Sequence, residues 1–260
     1  MKKIVVVITV VTLLSLVYPF SNTYADVRDG YIDLRPVILK GDVEVKSVGN
    51  MAHWTGDFTN AYQIDALGTT VVRYVVNDNT GVHNWEVTSL VFTVDFLIRG
   101  DGQWKNSYVE LKHNGNATSE TLRVECLKGL QKIRIKKLVG GNEIVSMDFN
   151  TDLQIQVNKT YRFIIGLYPP TMSCQWQATL GVALIELKDD YSSYFAQLFP
   201  RRGPTLYGEE VFYADKLDYI HADYMIERHD FLKNYRVNIG TMNSNVRFWN
   251  ASLFIRDTHA

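Results

Sequence analysis

Apolar residues recur along this chain mostly at every second position, in short runs separated by turn residues. Val71, Val72, Tyr74, Val75 and Val76 form one run, which stops at a turn cluster over 77–81. Residues 85–98 alternate in their second half, with Leu90, Phe92, Val94, Phe96 and Ile98 set against Val91, Thr93, Asp95 and Leu97. A period of two places alternate side chains on opposite faces of a strand. Further runs over 104–112, 121–127, 133–139, 143–149, 153–157, 161–167 and 174–187 repeat the pattern. Gly140, Gly141 and Asn142 give the clearest hairpin signal, because glycine and asparagine tolerate the positive φ of tight turns. Earlier segments, 31–34 and 37–45, and a late one, 246–255, also read as strands. Strands about ten residues apart with few helical stripes predict an antiparallel β-sandwich, jelly-roll or immunoglobulin-like.

The texture changes beyond Leu187. Residues 191–235 hold seven tyrosines and four phenylalanines, with Pro200 and Pro204 around Arg201 and Arg202. Over 215–233 the apolar positions fit a helix and a strand equally. The expected organisation is therefore a leader over 1–25, a sandwich over 26–188, and an aromatic-rich segment over 189–260 that completes or flanks it.

The leader reads as a cleavable signal peptide. Lys2 and Lys3 precede an uncharged run over 4–20, and Thr23 and Ala25 occupy the −3 and −1 positions before a cut after Ala25. The rival is a retained membrane anchor, for which that run is at the lower length limit. With no second long apolar run or C-terminal sorting signal, a secreted, extracellular protein without a membrane span after cleavage is expected. Export favours a disulfide between Cys126 and Cys174, the two cysteines, which would be worth about 4 kcal/mol in the chain-entropy model.

Removing Lys2 and Lys3 from 27 basic residues leaves 25 against 28 acidic ones, a formal charge of −3. Such a balance selects neither nucleic acid nor an anionic membrane. Lys132, Arg134 and Lys136 alternate with Ile133 and Ile135, which reads as a solvated strand face.

Catalytic signatures are absent: the chain has no HExxH, GxSxG, Walker or GxGxxG motif. No catalytic residue or cofactor is assigned, and an enzyme is disfavoured. A glycosidase stays open, since its two facing carboxylates would be invisible in one sequence. His221, Asp223, Glu227 and His229 would share a strand face, but His221 and His229 would lie roughly 26 Å apart, too far for one ion, so no metal is expected. Arg99, Gly100 and Asp101 form an adhesion-type tripeptide that is also ordinary turn chemistry. Asn-x-Ser/Thr sites stand at Asn116, Asn158 and Asn250, close to the number chance yields.

Five tryptophans and fifteen tyrosines are the most suggestive inventory, since exposed aromatics stack on sugars and anchor interfaces. Trp176 and Trp249 are expected in the core, and Tyr191, Tyr194 and Tyr207 are candidate binding residues. Tyr31, Ile32 and Leu34 form an alternating arm that could pair with a neighbouring subunit or serve as the first strand of its own sandwich. The expected function is binding or self-assembly as a surface, matrix or filament component, with homo-oligomer neighbours or glycans as partners. A carbohydrate-binding module or glycan-acting enzyme is the alternative.

Overall fold

The structure, a computed structural model, describes residues 30–53, 58–76, 89–100, 106–113, 120–150, 153–168, 177–187, 219–227 and 235–256. Their strands are β1 Gly30–Ile32, β2 Leu34–Ala52, β3 Phe58–Val76, β4 Ser89–Arg99, β5 Asn106–His113, β6 Glu120–Leu127, β7 Lys132–Val139, β8 Asn142–Asn150, β9 Thr160–Tyr168, β10 Gln177–Leu187, β11 Tyr219–Glu227, β12 Tyr235–Met242 and β13 Asn245–Arg256. Every pairing is antiparallel. The order β11-β10-β9-β4-β13-β3-β12-β5-β6-β7-β8 describes one curled sheet, with β1 beside β13 and β2 beside β3. Its two ends, β11 and β8, come into contact. The fold is an antiparallel β-sandwich of jelly-roll character.

The curl turns a sharp corner at one place. β12 and β13 run end to end along one edge of β3, with Val237 to Thr241 opposite Tyr74 to Thr70 and then Val246 to Phe248 opposite Ala66 to Ile64. Between them, residues 242–245 stand opposite only 67–69, a bulge that bends the strand. Gly68 sits at the corner with φ +78°, and its carbonyl accepts from Ser244 N at 3.0 Å and Thr241 Oγ1 at 2.8 Å. On the other side Gly41, φ +90°, passes so close that a Cβ would stand 2.5 Å from Thr69 O. Only a residue without a side chain fits there.

Alternation delivers one apolar set to the inside of the curl. Ile64, Phe92, Phe96, Val109, Leu122, Ile133, Tyr161, Phe163, Leu184 and Phe248 are all buried there. Each such side chain contributes roughly 1.5–3 kcal/mol on burial. Phe96 stacks on Phe163 with ring centroids 4.8 Å apart.

The hairpin at Gly140 and Gly141 forms, with φ +58° and +87°, and joins β7 to β8. The ambiguous stretch contains a strand, β11, paired to β10. Residues 153–157 do not form the expected strand. They run extended and bury Leu153 and Ile155, while the Gln131 amide pairs with Ile155 N at 2.6 Å and Ile155 O at 2.9 Å. A side chain has replaced the ladder partner. Tyr161 holds the same segment, donating to Gln154 O at 3.1 Å and accepting from Gln156 N at 2.7 Å.

The expected disulfide is not formed. Cys126 is a free thiol at 0% exposure, facing the core from β6, and Cys174 lies outside the described residues. Burial pushes the Cys126 thiol up to about 12, as expected for a small apolar side chain in a core.

β2 is a free edge. It pairs with β3 over its whole length and with no other described strand. Three register breaks interrupt it, and Lys40, Asp42, Glu44 and Lys46 line it, devices that blunt an exposed edge.

Candidate functional site

The outer face of β3, β12, β5, β6, β7 and β8 carries two mostly polar rows of residues directly opposite one another. One row is Arg73, Asn238, Glu110, Arg123, Lys136 and Ser146. The next is Val71, Gly240, Tyr108, Glu125, Arg134 and Asp148. The rows exist because their neighbours in sequence, Val72, Ile239, Val109, Val124 and Ile135, are drawn into the core.

The first row is hydrogen-bonded from strand to strand. Arg73 Nε donates to Asn238 Oδ1 at 3.3 Å, and Asn238 Nδ2 donates to Glu110 Oε2 at 3.0 Å. Arg123 Nε and Nη2 reach Glu110 Oε1 at 2.8 and 2.5 Å. The Arg123 guanidinium also lies 4.5 Å from the centroid of the Tyr108 ring, a cation–π contact. Glu125 is shared between Arg123 at 3.6 Å and Lys136 at 3.7 Å, and Lys136 meets Glu143 at 2.9 Å. Arg134 holds both oxygens of Asp148, at 2.5 and 3.0 Å.

Electrostatics divides the face. For Arg123, burial alone would lower the guanidinium pKa, but Glu110, with help from Tyr108 and Glu125, outweighs it and the net shift is upward. Arg73 is shifted the other way, by burial and then by the nearby Arg236, against a weaker pull from Glu110. Tyr108 is pushed up to about 12 by burial and by Glu110. On β6, β7 and β8 the cations are matched by Glu125, Glu143 and Asp148. On β3, β12 and β5, Arg73, Arg236 and Lys112 face, among the described residues, a single carboxylate, Glu110, which Arg123 and Asn238 already occupy.

The other outer face is built differently. Asp95, 1% exposed, accepts from Nε and Nη2 of Arg162, the latter at 2.7 Å, and from the Asn250 amide at 2.9 Å. Beside it lies a second apolar cluster of Val91, Ile164, Ala183, Ile185 and Phe254. Tyr31 of the arm packs against this cluster and stacks on His53 with centroids 3.7 Å apart. Ile32 is half-buried and Leu34 is in the core. The arm residues Tyr31 and Ile32 pair with Phe254 and Leu253 of the same chain. Tyr191, Tyr194 and Tyr207 lie outside the described residues, as do His229, Asn116 and Trp176. Trp249 is half-buried on β13. Asn158 is exposed at a turn, whereas Asn250 is half-buried on Asp95. Among the described residues no three His, Cys, Asp or Glu converge on a metal position.

Sequence reasoning saw Lys132, Arg134 and Lys136 as a solvated strand face and missed the rest. Arg73, Lys112, Arg123 and Arg236 come from four separate strands, and only the sheet order makes them neighbours. Alternation within β5 and β6 was the one signal available, since Tyr108, Glu110 and Lys112 and Arg123 and Glu125 each share a face.

No family model matches the chain, and no curated protein matches it. Among solved structures it is similar to the carbohydrate-binding module CBM66 from Bacillus subtilis, at 11% identity over 84% of this chain and 94% of that one, TM-score 0.41. It is also similar to an alginate lyase from Pseudomonas aeruginosa, at 8% identity over 81% and 87%, TM-score 0.46. A third is arcelin-5, a lectin-like defence protein from Phaseolus vulgaris, at 10% identity over 85% and 97%, TM-score 0.38. These are likenesses of fold alone. What the fold and the face define together is a jelly-roll sandwich with one polar, hydrogen-bonded sheet surface.

Proposed function

We propose that the protein is exported by its 1–25 leader and works by binding a glycan on the outer face of β3, β12, β5, β6 and β7. The row Arg73–Asn238–Glu110–Arg123 carries the reading. The buried amide of Asn238 and carboxylate of Glu110 hold the partly exposed guanidinium groups of Arg73 and Arg123 in a line, which preorganises them for a ligand dense in hydroxyls. Their order is set by strand register, so little entropy is lost on binding. Retention of the unmodified protein in affinity electrophoresis against a panel of neutral and acidic polysaccharides tests it. Replacing Arg73 and Lys136 with alanine should weaken retention about tenfold with the β signal in circular dichroism intact. Failure to bind any polysaccharide sinks the reading.

A second reading, self-association at a surface or in a filament, is favoured by the free edge of β2 with its exposed Ile38, Leu39 and Val48. Sedimentation decides it, because a clean monomer at high concentration removes it.

A further inference from the structure

Arg236 stands directly opposite Lys112 in the β12–β5 register. Arg73 lies one row away, opposite Asn238 on the same strand as Arg236. Like charges directly across a ladder destabilise a sheet. Elsewhere on this face the like pair Arg123 and Lys136 is bridged by Glu125, and the other opposed charges are of opposite sign: Glu110 faces Arg123, Glu125 faces Arg134, and Arg134 faces Asp148. Among the described residues none of the three cations forms an ion pair, although Asn238 and Glu110 are at hand. Glu110 is already engaged on both oxygens, with Nε and Nη2 of Arg123 on Oε1 and the Asn238 amide on Oε2.

Resting on the glycan reading, we infer that the ligand is an acidic polysaccharide, whose carboxylate or sulfate groups supply the anion missing between Arg73, Arg236 and Lys112. Guanidinium groups bind such oxygens through paired hydrogen bonds, while the buried Asn238 and Glu110 hold Arg73 and Arg123 in place beneath the sugar. The face suits sparse charge. A phosphate at every nucleotide would meet Glu110 and Glu125. Tyr108, the aromatic in these rows, is 3% exposed beneath Arg123 and offers no base a stacking surface. Three unmatched cations also fall below the roughly four to eight of a membrane-binding basic cluster.

The test measures binding of the secreted chain to polygalacturonate, to methyl-esterified polygalacturonate of the same backbone, to dextran sulfate, to dextran and to a single-stranded oligonucleotide. Tight binding is expected to polygalacturonate or dextran sulfate, and which of the two identifies carboxylate or sulfate as the source. Affinity should fall steeply between about 50 and 500 mM salt, as the screening length shrinks. Arg73→Gln and Arg236→Gln should each cost about tenfold, whereas Lys46→Gln, on the β2 edge, should cost nothing. Equal binding to the esterified polymer or dextran with no salt dependence overturns the acidic ligand and leaves the glycan reading standing. Tighter binding to the oligonucleotide, or to no polysaccharide at all, overturns both.

Discussion

The ring of Tyr108 lies over Gly240, where a Cβ would stand 2.4 Å from Tyr108 Cζ and 2.5 Å from Thr70 O. The absent side chain lets the tyrosine reach across β12 and donate to Thr70 O at 3.2 Å, so its ring can carry Arg123. Gly240→Ala should therefore destabilise the protein by about 1–3 kcal/mol and weaken ligand retention. Adding Tyr108→Leu should recover only part of the loss, because the Thr70 carbonyl still blocks the methyl. Thermal melts of the two single variants and the double variant measure that coupling.

Asp95 depends on Arg162 in a comparable way. Its carboxylate is buried on the outer face of β4, and removing the guanidinium leaves an uncompensated charge. Arg162→Ala should cost about 3–5 kcal/mol in urea unfolding. Arg162→Ala with Asp95→Ala should cost less than the single change, and a larger loss in the double variant would refute this account.

Asn250 combines a backbone φ of +49° with its hydrogen bond to Asp95. Asn250→Ala loses both and should cost about 1–3 kcal/mol, whereas Asn250→Gly keeps the backbone conformation and should cost less. In a host that glycosylates, peptide mass spectrometry should find sugar on exposed Asn158 and little on Asn250.

The Cys126 thiol should be silent in the native protein at pH 8 and react only on unfolding, which mapping of the alkylated peptide checks. Its folded value of about 12 lies above the ordinary 9.0. The contribution to stability is therefore complete below pH 9 and lost as pH rises from about 9 toward 12, because the unfolded chain ionises first. Cys126→Ala should flatten the beginning of that alkaline decline, leaving the later part to the buried tyrosines: Tyr108 and Tyr161, both pushed up to about 12, and Tyr74, raised further by burial.

Local pattern determined the strands. Alternation in 89–99 and in 133–139 announced which side chains would be buried, and Gly140 with Gly141 announced a turn, because period and turn chemistry are properties of neighbouring residues. Where two patterns overlapped, as over 219–227, only the ladder to β10 decided. Residues 153–157 alternated like a strand, yet Gln131, more than twenty residues earlier, took the place of a partner. Export favoured a disulfide at Cys126, and its free thiol was a matter of tertiary placement. The candidate face is the clearest case. Arg73, Lys112, Arg123 and Arg236 are scattered through 164 positions of the sequence, and strand order and register alone set them side by side. Side-chain period is written in the chain one residue at a time, whereas adjacency between distant strands follows from the closure of the whole curled sheet.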